Sequence, residues 1–215
     1  MLTIWGRKSS FNVQKVMWLV GELGLEHKHI EIGGQFGGLD TPEFRALNPH
    51  GKVPAIDDNG VIVWESHAIL RYLAAQYGEG RFWRHAPAER SLSDRWMDWA
   101  HTTLQPDFLG GVFWGFYRTP EPLRDLSAIK SKVEACARHF KLLDGELAGR
   151  AYMLGEALTL ADIPLATHLY RYFNIDIERP HVPHVEAWYR RLEERPAYRQ
   201  HVMVPFDDLY GRLDF

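Results

Sequence analysis

The pattern of apolar and polar positions changes character once along the chain. Up to Tyr77, short runs of strand type alternate with segments of helical period. Leu2–Trp5 is an apolar strand, and residues 6–9 read as a turn. Over Phe11–Leu23 the residues Val13, Val16, Met17, Leu19, Val20 and Leu23 recur at helical spacing, and Gly24 supplies a C-terminal stop. Residues 27–32 read as a second strand, followed by the glycine-rich loop 33–38. Thr41-Pro42 has the form of an N-cap with proline in the first turn, so a short helix is expected to Leu47. Residues 53–57 and Val61–Trp64 pair as a hairpin through Asp58-Asn59-Gly60. Ile69, Leu70, Leu73 and Tyr77 mark one face of a helix ending at Gly78. The predicted order is β-α-β-α-β-β-α.

From residue 88 onward no strand pattern appears. Residues 89–113 read as a long helix rich in aromatics, with Trp96, Trp99, Phe108 and Phe113. A second runs over 127–147 on Ile129, Val133, Phe140, Leu143 and Leu147. Thr159 opens a third, with Asp162 reaching back to the backbone as a capping box and Leu158 and Ile163 as a hydrophobic staple. Two shorter helices follow over 183–194 and 196–202. The expected organisation is α/β plus all-α: a small α/β domain over 1–78, a linker over 79–87 and an all-helical domain over 88–215.

Composition narrows the class. Of 215 residues, 46% are hydrophobic and 25% charged, as in a globular protein. The formal net charge of -3 comes without long like-charge runs, which argues against a nucleic-acid or anionic-membrane surface. No stretch approaches the roughly 20 apolar residues of a membrane span, and no signal peptide is read. The single cysteine, Cys136, excludes an intrachain disulfide and fits a reducing, cytoplasmic setting. Among eleven histidines, His27 and His29 alternate on a strand, while Pro183 separates His181 from His184. No cysteine or carboxylate completes either pair, so these are read as solvated surface histidines and no metal is expected.

Two dipeptides carry candidate chemistry. Val53-Pro54 enters the third strand and is a candidate for a cis peptide, although only ~5% of X-Pro bonds are cis. Glu65-Ser66 opens a helix. The plainer account makes Ser66 a cap and Glu65 a surface residue. The other account uses the helix N-terminus as an anion site, where free N–H groups and the dipole hold a carboxylate. Glu65 then takes a neighbouring ammonium group. A γ-glutamyl α-amino acid carries both charges on one carbon.

The run NPHGKVPAIDDNGVIVWESHAILRYL resembles the glutathione-binding core of cytosolic glutathione transferases, and GEALTLADIPLA is similar to the Thr-x-x-Asp segment of their helical domain. The resemblance spans Leu2 to Val202. It implies a thioredoxin-like N-terminal domain, and an enzyme that conjugates glutathione, its co-substrate, to a small-molecule electrophile. Beside Pro54, the Val53 backbone pairs with the cysteinyl residue as an added strand. Glu65 and Ser66 hold the γ-glutamyl head, while Gln35, Lys52 or His50 meets the glycine carboxylate. Trp5 has no hydroxyl and Cys136 lies far along the chain, so the tyrosine- and cysteine-type classes do not fit. In serine-type classes (theta, phi, delta and zeta) the activating serine stands six residues before a core valine, the spacing of Ser10 to Val16. Ser9 is the alternative and Asn12 a further amide donor. Ser10 as a mere cap stands beside this reading.

The resemblance also implies a second-substrate pocket between the domains, with Lys8 and Ser9 on one side and Trp99, Phe113, Trp114 and Tyr117 on the other. Phe206, Leu209 and Tyr210 are candidates to close it. For each aromatic the plainer account is core packing. A homodimer is implied as well. Ser10-x-Asn12 is similar to the Thr-x-Asn of nu-like transferases, which reduce disulfides, so glutathione-dependent disulfide or peroxide reduction is the alternative chemistry. A non-catalytic module on the same fold is the third reading.

Overall fold

The computed structural model describes residues 1–213. The chain forms two compact units: Met1–Arg84 together with Ala197–Val204, and His85–Pro196 together with Pro205–Leu213.

The first unit is built on a mixed sheet of β1 (Leu2–Trp5), β2 (His27–Ile30), β3 (Ala55–Asp58) and β4 (Val61–Trp64), in the order β2-β1-β3-β4. β1 and β2 are parallel and the other pairs antiparallel. The crossover from β1 to β2 is α1 (Phe11–Leu23), which ends at Gly24 in the left-handed region with φ 64. The Leu25 N–H closes the cap on Val20 O at 3.1 Å. α2 (Pro42–Leu47) is capped as expected, Thr41 Oγ1 accepting from Phe44 N. α3 (Ser66–Tyr77) completes the βαβαββα order. β2 stops two residues short of the expected strand. It is an edge strand that pairs only with β1, and β1 ends at Trp5 opposite Ile30.

The hairpin is also shifted from its expected bounds. Its turn is the two-residue Asn59-Gly60, both at positive φ (52 and 94), the backbone of a type I′ turn. β3 therefore starts at Ala55, and Val53-Pro54 lies just outside the ladder. Asp58, which is buried, ends β3 and receives two hydroxyls from α3 on one oxygen, Tyr72 at 2.9 Å and Tyr77 at 2.6 Å. The second of these bonds, aided by burial, pushes the Tyr77 phenol up to about 12. These bonds clamp the C-terminal half of α3 to the hairpin.

The segment Ala197–Val204 packs with this first unit. Tyr198 sets its ring edge-on to Trp18 of α1 at 4.8 Å. Gly21 permits the approach, since a Cβ there would stand 2.9 Å from Ala197 Cβ and 3.2 Å from His201 Cδ2.

The second unit is helical. α4 (Pro87–Trp99) opens earlier than expected, with proline in its first turn. The helical path then widens into π-type turns over Ala100–Leu104 and Pro106–Arg118, passing the expected end at residue 113. Pro106 lacks an N–H and its ring crowds the carbonyl four residues back, which disfavours regular α bonding there. α5 (Leu126–Leu147) is capped by Asp125 on Ala128 N. α6 (Asp162–Phe173) and α7 (Pro183–Glu193) follow, while α8 (Pro196–His201) lies almost wholly in the segment that packs with the first unit. The core includes Phe140 stacked on Tyr172 at 3.7 Å, with Phe108 edge-on to the same ring. Cys136 lies buried among these helices, and burial above all pushes its thiol up to about 12.

α6 begins at Asp162 itself, three residues after Thr159. The fully buried Asp162 carboxylate reaches back to Thr159 N (2.8 Å) and Thr159 Oγ1 (2.9 Å), and its other oxygen accepts from Met153 N at 2.9 Å. Burial raises its pKa to about 6 against the pull of these bonds.

α7 is capped from a distance. Asp144 on α5 accepts from His184 N (2.8 Å) and Val185 N (3.0 Å) with one oxygen. Asp144→Ala is expected to cost about 1 kcal/mol, the usual worth of an N-cap. For a chain of this size that lowers the melting temperature by roughly 2–4 °C, measurable by circular dichroism.

Candidate functional site

The hairpin register brings the two singled-out dipeptides together. Ala55 lies opposite Trp64, so Val53-Pro54 and Glu65-Ser66 leave the same end of the β3–β4 pair. The Val53-Pro54 bond is cis. β1 ends at this edge too, Trp5 lying opposite Ala55. The chain passes from it through Gly6, whose added Cβ would meet Val53 Cβ at 3.1 Å and Val13 Cγ2 at 2.4 Å. Gly6, at φ 146, thus lets the loop carrying Ser9 and Ser10 pass against Val53. Ser10, Val53, Glu65 and Ser66 share one edge of the sheet, where α1 and α3 both present their N-termini.

Each residue has a distinct local reason for its position. Ser10 is the N-cap residue of α1 in extended conformation (φ -73, ψ 122), yet its hydroxyl makes no capping hydrogen bond. The mere-cap account of this serine therefore lacks its bond. Ser66 is the first residue of α3 rather than its cap, and only 4% exposed. Glu65 holds the cap position with φ 70 and ψ 117, outside the regions comfortable for a residue with a Cβ. A backbone of this kind costs of order 1–3 kcal/mol and collects at ligand clamps. The Glu65 side chain makes no capping bond either, and the residue is exposed.

The loop leading to Val53 is tied by Asn48, which is buried. Its Nδ2 donates to Lys52 O at 2.8 Å and its Oδ1 accepts from His50 N at 3.0 Å. His50 sets its ring edge-on to Trp64 at 5.1 Å. Both His50 and Lys52 are exposed beside the hairpin. Gln35 sits exposed on a one-turn 3₁₀ segment (Gly34–Phe36) that packs on Arg7. It makes no hydrogen bond to the hairpin among the described residues.

Two polar residues that the sequence reading passed over stand inside this edge. Lys15 of α1 is fully buried. Its Nζ donates to Asn12 Oδ1 at 3.1 Å, lies 3.3 Å from His67 Nε2 of α3 and sits 5.0 Å from the centroid of the Phe11 ring. Burial depresses the ammonium to about 7, while the Glu65 charge pulls the other way. Lys15 thereby couples the start of α1 to the start of α3. The signal was present: Phe11 and Leu19, four residues to either side, are apolar, which puts Lys15 on an inward face.

The aromatic candidates of the second unit divide. Phe113 is 1% exposed, stacked on Tyr117 at 5.3 Å and edge-on to Phe206 at 5.5 Å. Tyr117 also meets Phe206 and Tyr210 edge-on. Trp114 lies under the Arg118 guanidinium at 3.9 Å, and Trp99 packs between Trp96 and His139. Trp99, Trp114 and Tyr117 keep part of their surface open, and Leu209 lies in a one-turn 3₁₀ segment over Asp207–Leu209.

A βαβαββα sheet unit joined to an all-helical one is the thioredoxin-like plus helical architecture. The glutathione S-transferase N-terminal domain family matches residues 5–81, and the corresponding C-terminal domain family matches residues 97–196. The chain is 42% identical over 207 residues to glutathione S-transferase GstB of Escherichia coli, covering 95% of this chain and 99% of that one. Glutathione S-transferase 3 of Zea mays is 30% identical, with 94% and 93% covered. The theta class glutathione S-transferase of Xanthomonas axonopodis pv. citri, solved with glutathione bound, superposes with a TM-score of 0.88 at 46% identity, over 95% of this chain and 98% of that one. The chain belongs to the glutathione S-transferase family.

Lys15 gives a pH test of this edge. Its folded pKa of about 7 lies below the ordinary 10.5, so between these values the unfolded chain binds more protons and stability rises with pH. Below about pH 7 both states carry the charge and the burial cost is complete. The urea midpoint of wild type should therefore climb relative to that of Lys15→Met between pH 7 and pH 10. Parallel curves would assign the lysine an ordinary pKa.

Proposed function

We propose that the protein, a glutathione S-transferase by family, binds glutathione at the edge shared by Ser10, Val53 and Glu65-Ser66 and transfers its thiolate to an electrophilic small molecule. The observation that carries the reading is the Ser10 hydroxyl, left without a capping bond at the N-terminus of α1. Residues 1–78 serve glutathione, and residues 88–215 supply the aromatic wall for the second substrate.

The chemistry follows from the charges. A free thiol of pKa about 8.5 is only a few per cent thiolate near neutral pH. Lowering that pKa to about 6.5 requires roughly 2.7 kcal/mol of preference for the charged sulfur. A hydroxyl donating to sulfur contributes about 1.5–3 kcal/mol, and the positive end of α1 adds to it. Val53, outside the ladder next to Pro54, offers its backbone to the cysteinyl residue. The first-turn N–H groups of α3 hold the γ-glutamyl carboxylate, and Glu65 accepts from the ammonium group beside it. Lys52, His50 and Gln35 are the donors for the glycine carboxylate. Asn12, whose Oδ1 is engaged by Lys15, contributes through its amide. Lys8, Ser9, Trp99, Trp114 and Tyr117 line the second-substrate pocket, and Phe113 backs them from the core. The working form is a homodimer in the cytoplasm.

Ser10→Ala is expected to raise the pKa of the bound thiol, read by thiolate absorbance, and to slow turnover by roughly 10- to 100-fold. Binding of glutathione should change far less, and Ser9→Ala should do little. The reverse pattern would pass the role to Ser9. Replacing Glu65 and Ser66 together by alanine should abolish calorimetric binding in a folded protein. Light scattering at micromolar concentration should give twice the chain mass of 24.9 kDa.

A further inference from the structure

A cavity of about 250 Å³ opens in the first unit between α1, β2 and the segment Ala197–Val204. It lies at the β2 edge of the sheet, whereas Glu65-Ser66 follows β4 at the opposite edge. Lys8, Gln14, His27, His29, Gln200 and His201 form its polar wall, and Met17 and Val204 its apolar one. Every ionisable side chain of the lining is basic. We propose that this cavity is a second ligand site, which takes a small organic oxyanion with its charged head among the three histidines and its apolar end on Met17 and Val204.

The histidines are built in, not solvated surface groups as their spacing suggests. His27 Nδ1 lies 2.9 Å from Leu25 O, and His29 Nε2 lies 2.6 Å from Gly6 O. A carbonyl only accepts, so each of these nitrogens carries the proton and each ring is held by the backbone. The remaining nitrogen of each ring becomes a donor when a second proton is added. His201 is seated by the glycine at position 21, whose missing Cβ leaves room for its imidazole edge. Gln14 is buried and fixed through its Nε2 to Lys8 O at 3.2 Å. No set of three metal-ligating side chains converges among the described residues. At ~30 Å³ per water, the volume equals about eight waters, the size of a benzoate rather than of a tripeptide.

The charges explain why an anion completes the site. His201 is held down to about 4, first by burial and then by His27, His29 and Lys8. α1 contributes only Gln14 and Met17 to the lining, neither of them ionisable, and the C-terminal segment contributes His201 and Gln200. A carboxylate that meets this wall is Glu31, just beyond β2, which accepts the Lys8 backbone N–H at 3.3 Å while remaining exposed. An anion in the cavity offsets the positive neighbours and draws protons onto the imidazoles. By linkage its affinity rises as pH falls, by up to about tenfold per pH unit for each proton taken up.

The test is histidine NMR on the intact protein at pH 6 and pH 8, with S-methylglutathione present throughout to occupy the glutathione site. Three probes are titrated: benzoate, ionised at both pH values; phenyl phosphate; and neutral benzyl alcohol. Benzoate is expected to shift the His27, His29 and His201 resonances, to bind more tightly at pH 6, and to leave His181 and His184 unmoved. His201→Gln and His27→Gln should each weaken binding and flatten its pH dependence while glutathione affinity is retained. Binding of both anions defines a general oxyanion site, and binding of one names the head group. Equal binding of benzyl alcohol, or the absence of shifts at millimolar anion, overturns the proposal without touching the glutathione reading. If S-methylglutathione fails to bind, the glutathione reading falls instead, and the three probes still decide this one.

Discussion

The two-residue turn at Asn59-Gly60 is the constraint on which the first unit depends. Two residues at positive φ leave one pairing for the strands, with Asp58 opposite Val61 and Ala55 opposite Trp64. A slip of one residue would reverse every side chain between the faces of β3. It would carry the Asp58 carboxylate away from Tyr72 and Tyr77, and Ile56, fully buried, out of the core. The same register sets Val53-Pro54 beside Glu65-Ser66. A turn at one end of the hairpin thus decides which backbone groups meet at the other, with Asp58 and α3 as the lock.

Opposite that lock the polar arrangement is less comfortable. Glu65 holds a left-handed backbone and Lys15 is an ammonium group without solvent. Each departs from what a sequence optimised for stability alone would carry. The two are electrostatically linked, since the Glu65 charge favours the protonated lysine. The unfavourable terms gather where α1 and α3 begin and are offset by the apolar faces behind them, Val13, Val16, Leu19, Ile69, Leu70 and Leu73, all with no exposed surface. The glutathione proposed for this edge would meet groups already held in place, so little ordering would remain to oppose its binding.

Much of this was legible because its causes are local. Strand alternation, the Thr41-Pro42 start, the Gly24 stop and the Asn-Gly of the hairpin turn each act within a few residues; the start and the stop appear where the pattern puts them, while β2 ends two residues early and β3 runs from Ala55 through Asp58, which was expected in the turn. The two dipeptides were also readable, since their juxtaposition follows from hairpin register alone. What escaped depends on contacts between distant segments. Asp144 caps a helix forty residues on, Lys15 meets His67 on another helix, and residues 197–204 pack with the first unit because a glycine opens the surface of α1. The histidines of β2 looked solvent-facing because strand alternation says nothing of a segment arriving from the far end of the chain. The π-type turns near Pro106 were missed for a different reason: apolar spacing barely distinguishes a widened helix from a regular one.

The buried cysteine has a bearing on self-preservation. A catalyst that presents thiol-reactive compounds to glutathione is itself exposed to them, at high local concentration and over many turnovers. Any thiolate of its own would compete for the same carbon and be lost by alkylation. Here the only sulfhydryl of the chain is Cys136, set in the helical core with 1% of its surface open and its ionisation pushed to about 12. At neutral pH the nucleophilic form is absent for practical purposes, and reagents cannot reach the sulfur without the helices coming apart. The chain thus offers no reactive thiol of its own to the class of molecule it handles, and the reactive thiol is the one that arrives with the co-substrate.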